Sequence, residues 1–311
     1  MAGGKSSYKT LADVWAGELG SEEGRQAWYA GATKYWEAQE ATLGGILGGY
    51  PETNGPDLLE SRQFLEQLRR KVPAPAFGRV LDCGAGTGRV AAGLLLELFE
   101  CVDLVEQDER LFAAARQEVR GPRAGRFIVS SLQQLRPEED RYDVIWLQWV
   151  IMYLPDDDLL HFLQRCVLGL KENGVIFIKE NVVLDGSFAV DWDDNSVARV
   201  DAQYKKVFGR AGLYVVQEQQ QVDWPSSLIP VKMYALRPKA GSKRPALLLP
   251  ADRGEQQQEQ QPEQQEQLAE GGRQCESLQQ QEQEQQQEQQ PRKQRQKGGQ
   301  RRVKSQMQKA V

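Results

Sequence analysis

The segment Val80-Leu81-Asp82-Cys83-Gly84-Ala85-Gly86-Thr87-Gly88-Arg89 carries the clearest chemical signal in this 311-residue chain. An apolar run enters three glycines at alternate positions, and a helical period follows. Glycine lets a backbone turn tightly and approach a ligand where a Cβ would intrude. In an open α/β sheet such a turn lies outside the carboxyl end of a strand, where cofactors bind. Two phosphate-binding readings are excluded by residue type. A dinucleotide fingerprint places its third glycine one position later, where Arg89 stands, and a Walker loop ends in Gly-Lys-Ser/Thr, which is absent. The cysteines Cys83, Cys101, Cys166 and Cys275 have no metal-type spacing and read as reduced thiols of an intracellular protein. The sole histidine, His161, follows Leu159-Leu160 in an expected helix and reads as a surface or packing residue. On residue type alone Trp36 and Trp149 lean toward the core. Asp191, Asp193 and Asp194 lean toward a solvated loop before a helix capped by Asn195 or Ser196.

Seven apolar runs could supply strands to aim these groups: Val80–Cys83, Val102–Glu106, Phe127–Ser130, Val144–Trp149, Val175–Lys179, Leu213–Glu218 and Val231–Leu236. Helical periods separate most of them, over Arg89–Phe99, Glu109–Val119, Asp157–Lys171 and Ser196–Ala211. That alternation predicts an α/β fold, a parallel sheet with helices on both faces. Upstream, helices are expected over Glu22–Leu43 and Leu58–Lys71, the second ended by Pro73 and Pro75. Gly44, Gly45, Gly48 and Gly49 form a loop between them, as a turn or as a hinge. From 251 to 311 Gln supplies 23 of 61 residues. So little apolar surface cannot offset the ordering entropy of roughly 1–2 kcal/mol per residue, and a disordered or transiently helical tail is expected. The expected organisation is a flexible N-terminus over 1–21, a folded domain over 22–238, and a Gln/Glu-rich tail over 239–311 with a basic end. Ten acidic and ten basic residues cancel from 251 onward, so the 29 Lys+Arg and 34 Asp+Glu before it carry the whole net charge of −5. Such a balance excludes a general basic footprint for nucleic acid. No run approaches the roughly 20 apolar residues of a membrane span, and the first residues lack the apolar centre of a signal peptide.

Counted from Asp82, the glycine loop has the form D-x-G-x-G-x-G, which resembles motif I of the class I S-adenosylmethionine (SAM) dependent methyltransferases. Glu106 ends the next strand, 24 positions after Asp82, where a carboxylate can accept both ribose hydroxyls. Most of residues 24–238 resemble the protein N-terminal methyltransferase family, which methylates the α-amino group of chains beginning X-Pro-Lys or X-Pro-Arg after loss of the initiator Met. The resemblance is carried by Lys34-Tyr35-Trp36, Leu47-Gly48-Gly49-Tyr50, the glycine loop, the run from Tyr142 to Ile151, Lys179-Glu180-Asn181, and the run from Asp191 to Arg199. It implies a Rossmann-like class I methyltransferase fold over 22–238: a seven-stranded, mostly parallel sheet with an N-terminal helical extension.

Matched position by position, the family's SAM contacts fall on Gly84, Gly86, Arg89, Glu106, Gln107, Asp108, Leu132, Gln133 and Gln148. Substrate contacts fall on Trp36, Trp149 and Asp191. The catalytic positions are Asp194 as proton acceptor, Asn181 as orienter of the amine, and Tyr153. Tyr153 departs from the family pattern, which has His there. A phenol with pKa of about 10 cannot replace imidazole as a base near neutrality. The resemblance further implies protein substrates, a cytoplasmic and nuclear location, a monomer, and no membrane or specific nucleic-acid partner. A nucleic-acid base methylase is disfavoured, because no Asn/Asp-Pro-Pro-Tyr/Phe run follows the fourth strand. Two other readings stay open: a methylase of a small-molecule amine, and a non-catalytic SAM- and peptide-binding homologue.

Overall fold

A computed structural model describes residues 8–71 and 73–241. Four helices precede the sheet: α1 (Leu11–Glu18), α2 (Glu22–Ala38), the short α3 (Leu43–Ile46) and α4 (Asn54–Arg69). Thr10 and Asp13 form a reciprocal capping box on α1, and the Ser21 hydroxyl accepts from Gly24 N on α2. Residues 1–21, expected as a flexible N-terminus, therefore contain a capped helix. Leu11 and Val14 of α1 bury themselves against Trp28 and Val197, which is why α1 holds its place.

The sheet begins with β1 (Arg79–Cys83), followed by a π-helical stretch, Ala91–Leu95, that α5 (Leu96–Leu98) continues. Next come β2 (Cys101–Glu106), α6 (Glu109–Glu118), β3 (Ala124–Val129) and β4 (Tyr142–Gln148). A 3-10 turn, Ile151–Tyr153, leads to α7 (Asp156–Gly169) and the long β5 (Leu170–Val183). The chain closes with β6 (Ala189–Asp191), β7 (Ser196–Val200), α8 (Asp201–Arg210), β8 (Leu213–Gln220) and β9 (Val231–Pro238). The parallel path β3-β2-β1-β4-β5 is extended by antiparallel β9 and then β8. These are the seven expected strands.

Two more strands raise the total among the described residues to nine, because β5 outruns its neighbours. Its last residues, Val182 and Val183, pair with Arg199 and Val200 of β7, and β6 folds back on β7 as a hairpin. The expected helix over Ser196–Ala211 is thus corrected: its first five residues are β7, and α8 starts at Asp201. Val197 and Val200, both β-branched, fit a half-covered strand better than a helix turn. The proposed caps at Asn195 and Ser196 fall away with it, since Asn195 instead turns the hairpin at φ +54°.

Apolar side chains fill both faces of the sheet. On one side α7 and α8 bury Phe162, Leu163, Tyr204 and Phe208 against Ile145, Leu147 and Ile178. On the other, Phe64 of α4, Phe112 of α6 and the residues after the glycine loop cover Val144, Trp146 and Phe177. Trp146 stacks on Phe177, so its reading as a core residue holds. Each such side chain contributes roughly 1.5–3 kcal/mol on burial. His161 is exposed on α7, as expected. Cys83 and Cys166 are buried free thiols. Cys101 is buried as well, and its Sγ accepts from Arg79 Nη1 at 2.9 Å. Cys275 and the whole Gln-rich segment lie outside the described residues.

Candidate functional site

The glycine loop leaves β1 with Gly84, Gly86 and Gly88 all at positive φ (71°, 56° and 77°). Gly84 N and Ala85 N both donate to Val105 O at 2.9 Å, which ties the turn to the end of β2. A Cβ on Gly84 would stand 2.5 Å from Val150, and one on Gly88 2.6 Å from Val119. On Gly86 it would meet nothing and project into the cavity above the strand ends. Glycine is needed at the first and third positions for packing, and at the second to keep the floor of the cavity bare.

That cavity encloses about 1090 Å³, and every site residue singled out in the sequence lines it. At one end the Glu106 carboxylate accepts from Gly86 N (2.9 Å), Gln107 N (2.7 Å) and Asp108 N (3.0 Å). A carboxylate has about four acceptor positions, so the expected pair of ribose bonds would compete with these three. Asp108 also caps α6, accepting from Arg110 N at 2.8 Å. Arg165 donates to Leu132 O (2.8 Å) and Gln133 O (3.1 Å), fixing the backbone of that wall. Asp82 is buried, and its Oδ2 has no hydrogen-bond partner. Burial, reinforced by Glu106 and opposed by Arg89, pushes its carboxyl up to about 7.

Asp57, which the sequence reading missed, organises this wall from α4. Its carboxylate accepts from Gln148 Nε2 (2.8 and 2.9 Å), Arg89 Nη1 (2.5 Å) and Lys179 Nζ (2.5 Å). Burial alone would raise the carboxyl, but Lys179 and Arg89 outweigh it and hold it below its ordinary value. Arg89 also reaches Asn54 Oδ1 at 3.1 Å, and Trp146 Nε1 donates to Gln148 Oε1 at 3.2 Å. In sequence, Asp57 stands just ahead of the helix expected over Leu58–Lys71, with nothing to mark it. Nothing local announces two cations converging on it, Arg89 from the end of the glycine loop and Lys179 from β5.

The other end is built on β4, β5 and the β6–β7 hairpin. Trp149 sits at φ +51°, a costly conformation for a bulky residue. It is pinned by its N–H donating to Lys179 O at 3.0 Å, and by Glu180 Oε1 accepting from Val150 N and Ile151 N at 2.8 Å each. The indole lies 5.8 Å from the Trp224 ring and 5.3 Å from the Arg89 guanidinium, and its buried Nε1 has no partner. Asp194 is 9% exposed. Its Oδ1 accepts from Ser196 N and its Oδ2 from the Tyr153 hydroxyl, both at 3.0 Å. Burial raises the Asp194 carboxyl above its ordinary value, against the lowering by Ser196 and Tyr153. Burial and then Asp194 push the Tyr153 phenol well above its own, so it donates rather than accepts the proton. Trp36 stands edge-on to Tyr153 at 6.4 Å, and Asn181 and the exposed Asp191 complete the wall.

These features fit SAM. A bare glycine floor suits a ligand laid close to the backbone. The partnerless Asp82 oxygen and Glu106 offer acceptors for its hydroxyl and ammonium donors. No group of three or more His, Cys, Asp or Glu among the described residues is arranged to hold a metal ion. No described helix is long and apolar enough to cross a membrane.

Comparison with known proteins agrees. Residues 24–237 match the model of the AdoMet dependent proline di-methyltransferases. An N-terminal Xaa-Pro-Lys N-methyltransferase 1-B of Xenopus laevis is 40% identical over 218 residues, 69% of this chain and 97% of that one. An alpha N-terminal protein methyltransferase 1 of Caenorhabditis elegans is 39% identical over 68% of this chain and 91% of its own. A solved SAM-dependent methyltransferase from Leishmania major superposes with a TM-score of 0.70 at 37% identity, covering 74% of this chain and 92% of that one. The fold is that of the class I SAM-dependent methyltransferases, and the chain belongs to the AdoMet dependent proline di-methyltransferase family.

Proposed function

We propose that this protein methylates the α-amino group of protein N-termini of the X-Pro-Lys/Arg type, with Asp194 as the proton acceptor. The observation that carries the reading is the buried Asp194 carboxylate in the same cavity as the glycine loop, walled by Trp36, Trp149 and Asn181. The names of the relatives support the substrate class.

Bound SAM supplies a sulfonium-activated methyl carbon, which only an uncharged amine can attack. A free α-amine has a pKa of about 7.7–8.0, so near neutrality part of it must lose one proton. Asp194 takes that proton, directly or through a water, and its burial makes it a stronger base than an exposed Asp. Asn181 orients the nitrogen through its side-chain oxygen. Trp36 and Trp149 offer flat faces to the proline ring and keep water off the reacting nitrogen. Asp191, exposed at the rim, pairs with the cationic third residue. Gly84, Gly86, Glu106, Gln107, Asp108, Leu132 and Gln133 hold the cofactor, with Arg89 and Gln148 fixed by Asp57. Catalysis is then mainly alignment, plus transfer of one proton.

Label transfer from methyl-labelled SAM to peptides of the type Ser-Pro-Lys and Ser-Pro-Glu tests this. We expect α-amine labelling of the Lys peptide at least about tenfold above the Glu peptide. Equal labelling would remove the assigned role of Asp191, and none on either would reject the substrate class.

A further inference from the structure

We infer that Trp28 is a positioning residue for the proton-transfer pair, holding both Tyr153 and the turn that carries Asp194. The inference rests on Asp194 being the proton acceptor, and it adds a component outside the cavity wall. Trp28 lies on α2 and is almost wholly buried. Its Nε1 donates to Tyr153 O at 3.1 Å, and its own backbone oxygen accepts from Asn195 Nδ2 at 2.9 Å. Asn195 follows Asp194 directly and sits at φ +54°. One residue therefore grips the backbone of the donor and the neighbour of the acceptor in the Tyr153–Asp194 hydrogen bond.

Three further observations show that this clamp is built in. A Cβ on Gly31 would fall 2.1 Å from Asn195 Nδ2, so only glycine one turn along α2 admits the Asn195 amide. Trp15 of α1 packs edge-on to Trp28 at 5.3 Å, and Trp192 of the hairpin does so from another side at 6.3 Å. Leu11, Val14 and Val197 close the same apolar cluster. The indole has no rotational freedom left, so its N–H direction is set by packing. The packing of α1 on the side of α2 that carries Trp28 thereby fixes the angle at which Asp194 faces the cavity. A misplacement of about 1 Å in such a group can lower a rate on the order of 100-fold.

The charged and titratable groups facing Asp194 are Tyr153 from the 3-10 turn, Asp191 from its own hairpin and Tyr35 from α2. None of these is altered by Trp28→Phe, which keeps the ring and loses only the N–H donor. Nor are they altered by Asn195→Gly, which tolerates positive φ and loses only the amide.

The test measures kcat, SAM affinity and the acidic limb of the pH–rate profile for both variants, beside Asp194→Asn, in otherwise unaltered full-length protein. Both variants should lower kcat roughly tenfold and leave SAM affinity within about twofold. Asn195→Gly should also move the acidic limb to lower pH, as Asp194 gains water. In a Tyr153→Phe background, Trp28→Phe should cost less than about twofold more, because the bond it protects is already gone. A merely structural tryptophan would cost the same in both backgrounds, and that result overturns the inference. So would wild-type kcat in both variants while Asp194→Asn is inactive, an outcome that leaves the base assignment standing. Full activity of Asp194→Asn would instead remove the base assignment itself. Should Trp28→Phe fail to fold, Asn195→Gly alone decides.

Discussion

At the residue scale the chemistry narrows to one carboxylate and its phenol donor. Asp194→Asn keeps size and hydrogen-bond geometry but cannot accept the proton. We expect kcat to fall roughly 10²–10⁴-fold, with SAM binding by calorimetry within about twofold of wild type. The Tyr153 bond stabilises the ionised form of Asp194 and so lowers its basicity. Removing it in Tyr153→Phe raises the Asp194 carboxyl further, and the acidic limb of the kcat–pH profile should move to higher pH. A limb that stays put would mean that another group sets it. Asp57 acts on the cofactor side. Asp57→Asn leaves Arg89 and Lys179 buried with a neutral partner. We expect SAM affinity to drop about tenfold or more and stability to fall by about 3–5 kcal/mol, read by calorimetry and denaturant melts. These residues were unequally legible in the sequence. Asp194, Asn181 and Trp149 emerged from ordered motifs, and the structure brings them into one cavity. Asp57 and Trp28 did not, because most of their partners, Gln148 and Lys179 for Asp57 and Tyr153 and Asn195 for Trp28, lie more than 90 residues away and meet them only after α2 and α4 dock.

At the element scale the site stands where β1, β4 and β5 end and the hairpin begins. The seven main strands were legible because each is a short apolar run bounded by turn residues. The hairpin was not. The segment from Ser196 to Val200 is short, continuous in sequence with α8, and becomes a strand only because β5 overshoots its neighbours and offers Val182 and Val183 as pairing partners. Helix α1 was missed for the same kind of reason, since its partners Trp28 and Val197 are distant in sequence. Beneath the strained turn at Trp149, Glu180 has no partner for its Oε2, and burial pushes its carboxyl up to about 7 against the backbone N–H groups that lower it. A folded-state pKa above the unfolded one means that the folded protein keeps the proton longer. Its stabilising contribution is complete below about pH 4.5 and is lost as pH rises through about 7. Glu180→Gln keeps the acceptor oxygen without the titration. Its loss of stability between pH 5 and pH 8 should be smaller than wild type by roughly 3 kcal/mol or less, by chemical denaturation. Parallel curves would show that Glu180 titrates normally.

At the scale of the whole molecule, the acidic excess sits entirely before residue 251, and the rim residues Asp191 and Asp193 are exposed beside the cavity mouth. A basic peptide terminus is drawn toward such a surface. The kcat/KM for an X-Pro-Lys peptide should therefore fall as ionic strength rises from about 0.01 to 0.15 M, where the screening length shrinks from about 30 to 8 Å. A flat salt dependence would assign recognition to the apolar walls alone. The most direct measurement of the central claim is the intact mass of two peptides, both beginning Ala-Pro-Lys, one with a free and one with an acetylated N-terminus, after incubation with the protein and SAM. Methyl-sized gains confined to the free amine are the predicted result. Gains on the acetylated peptide, or none on the free one while SAM is bound, would contradict it.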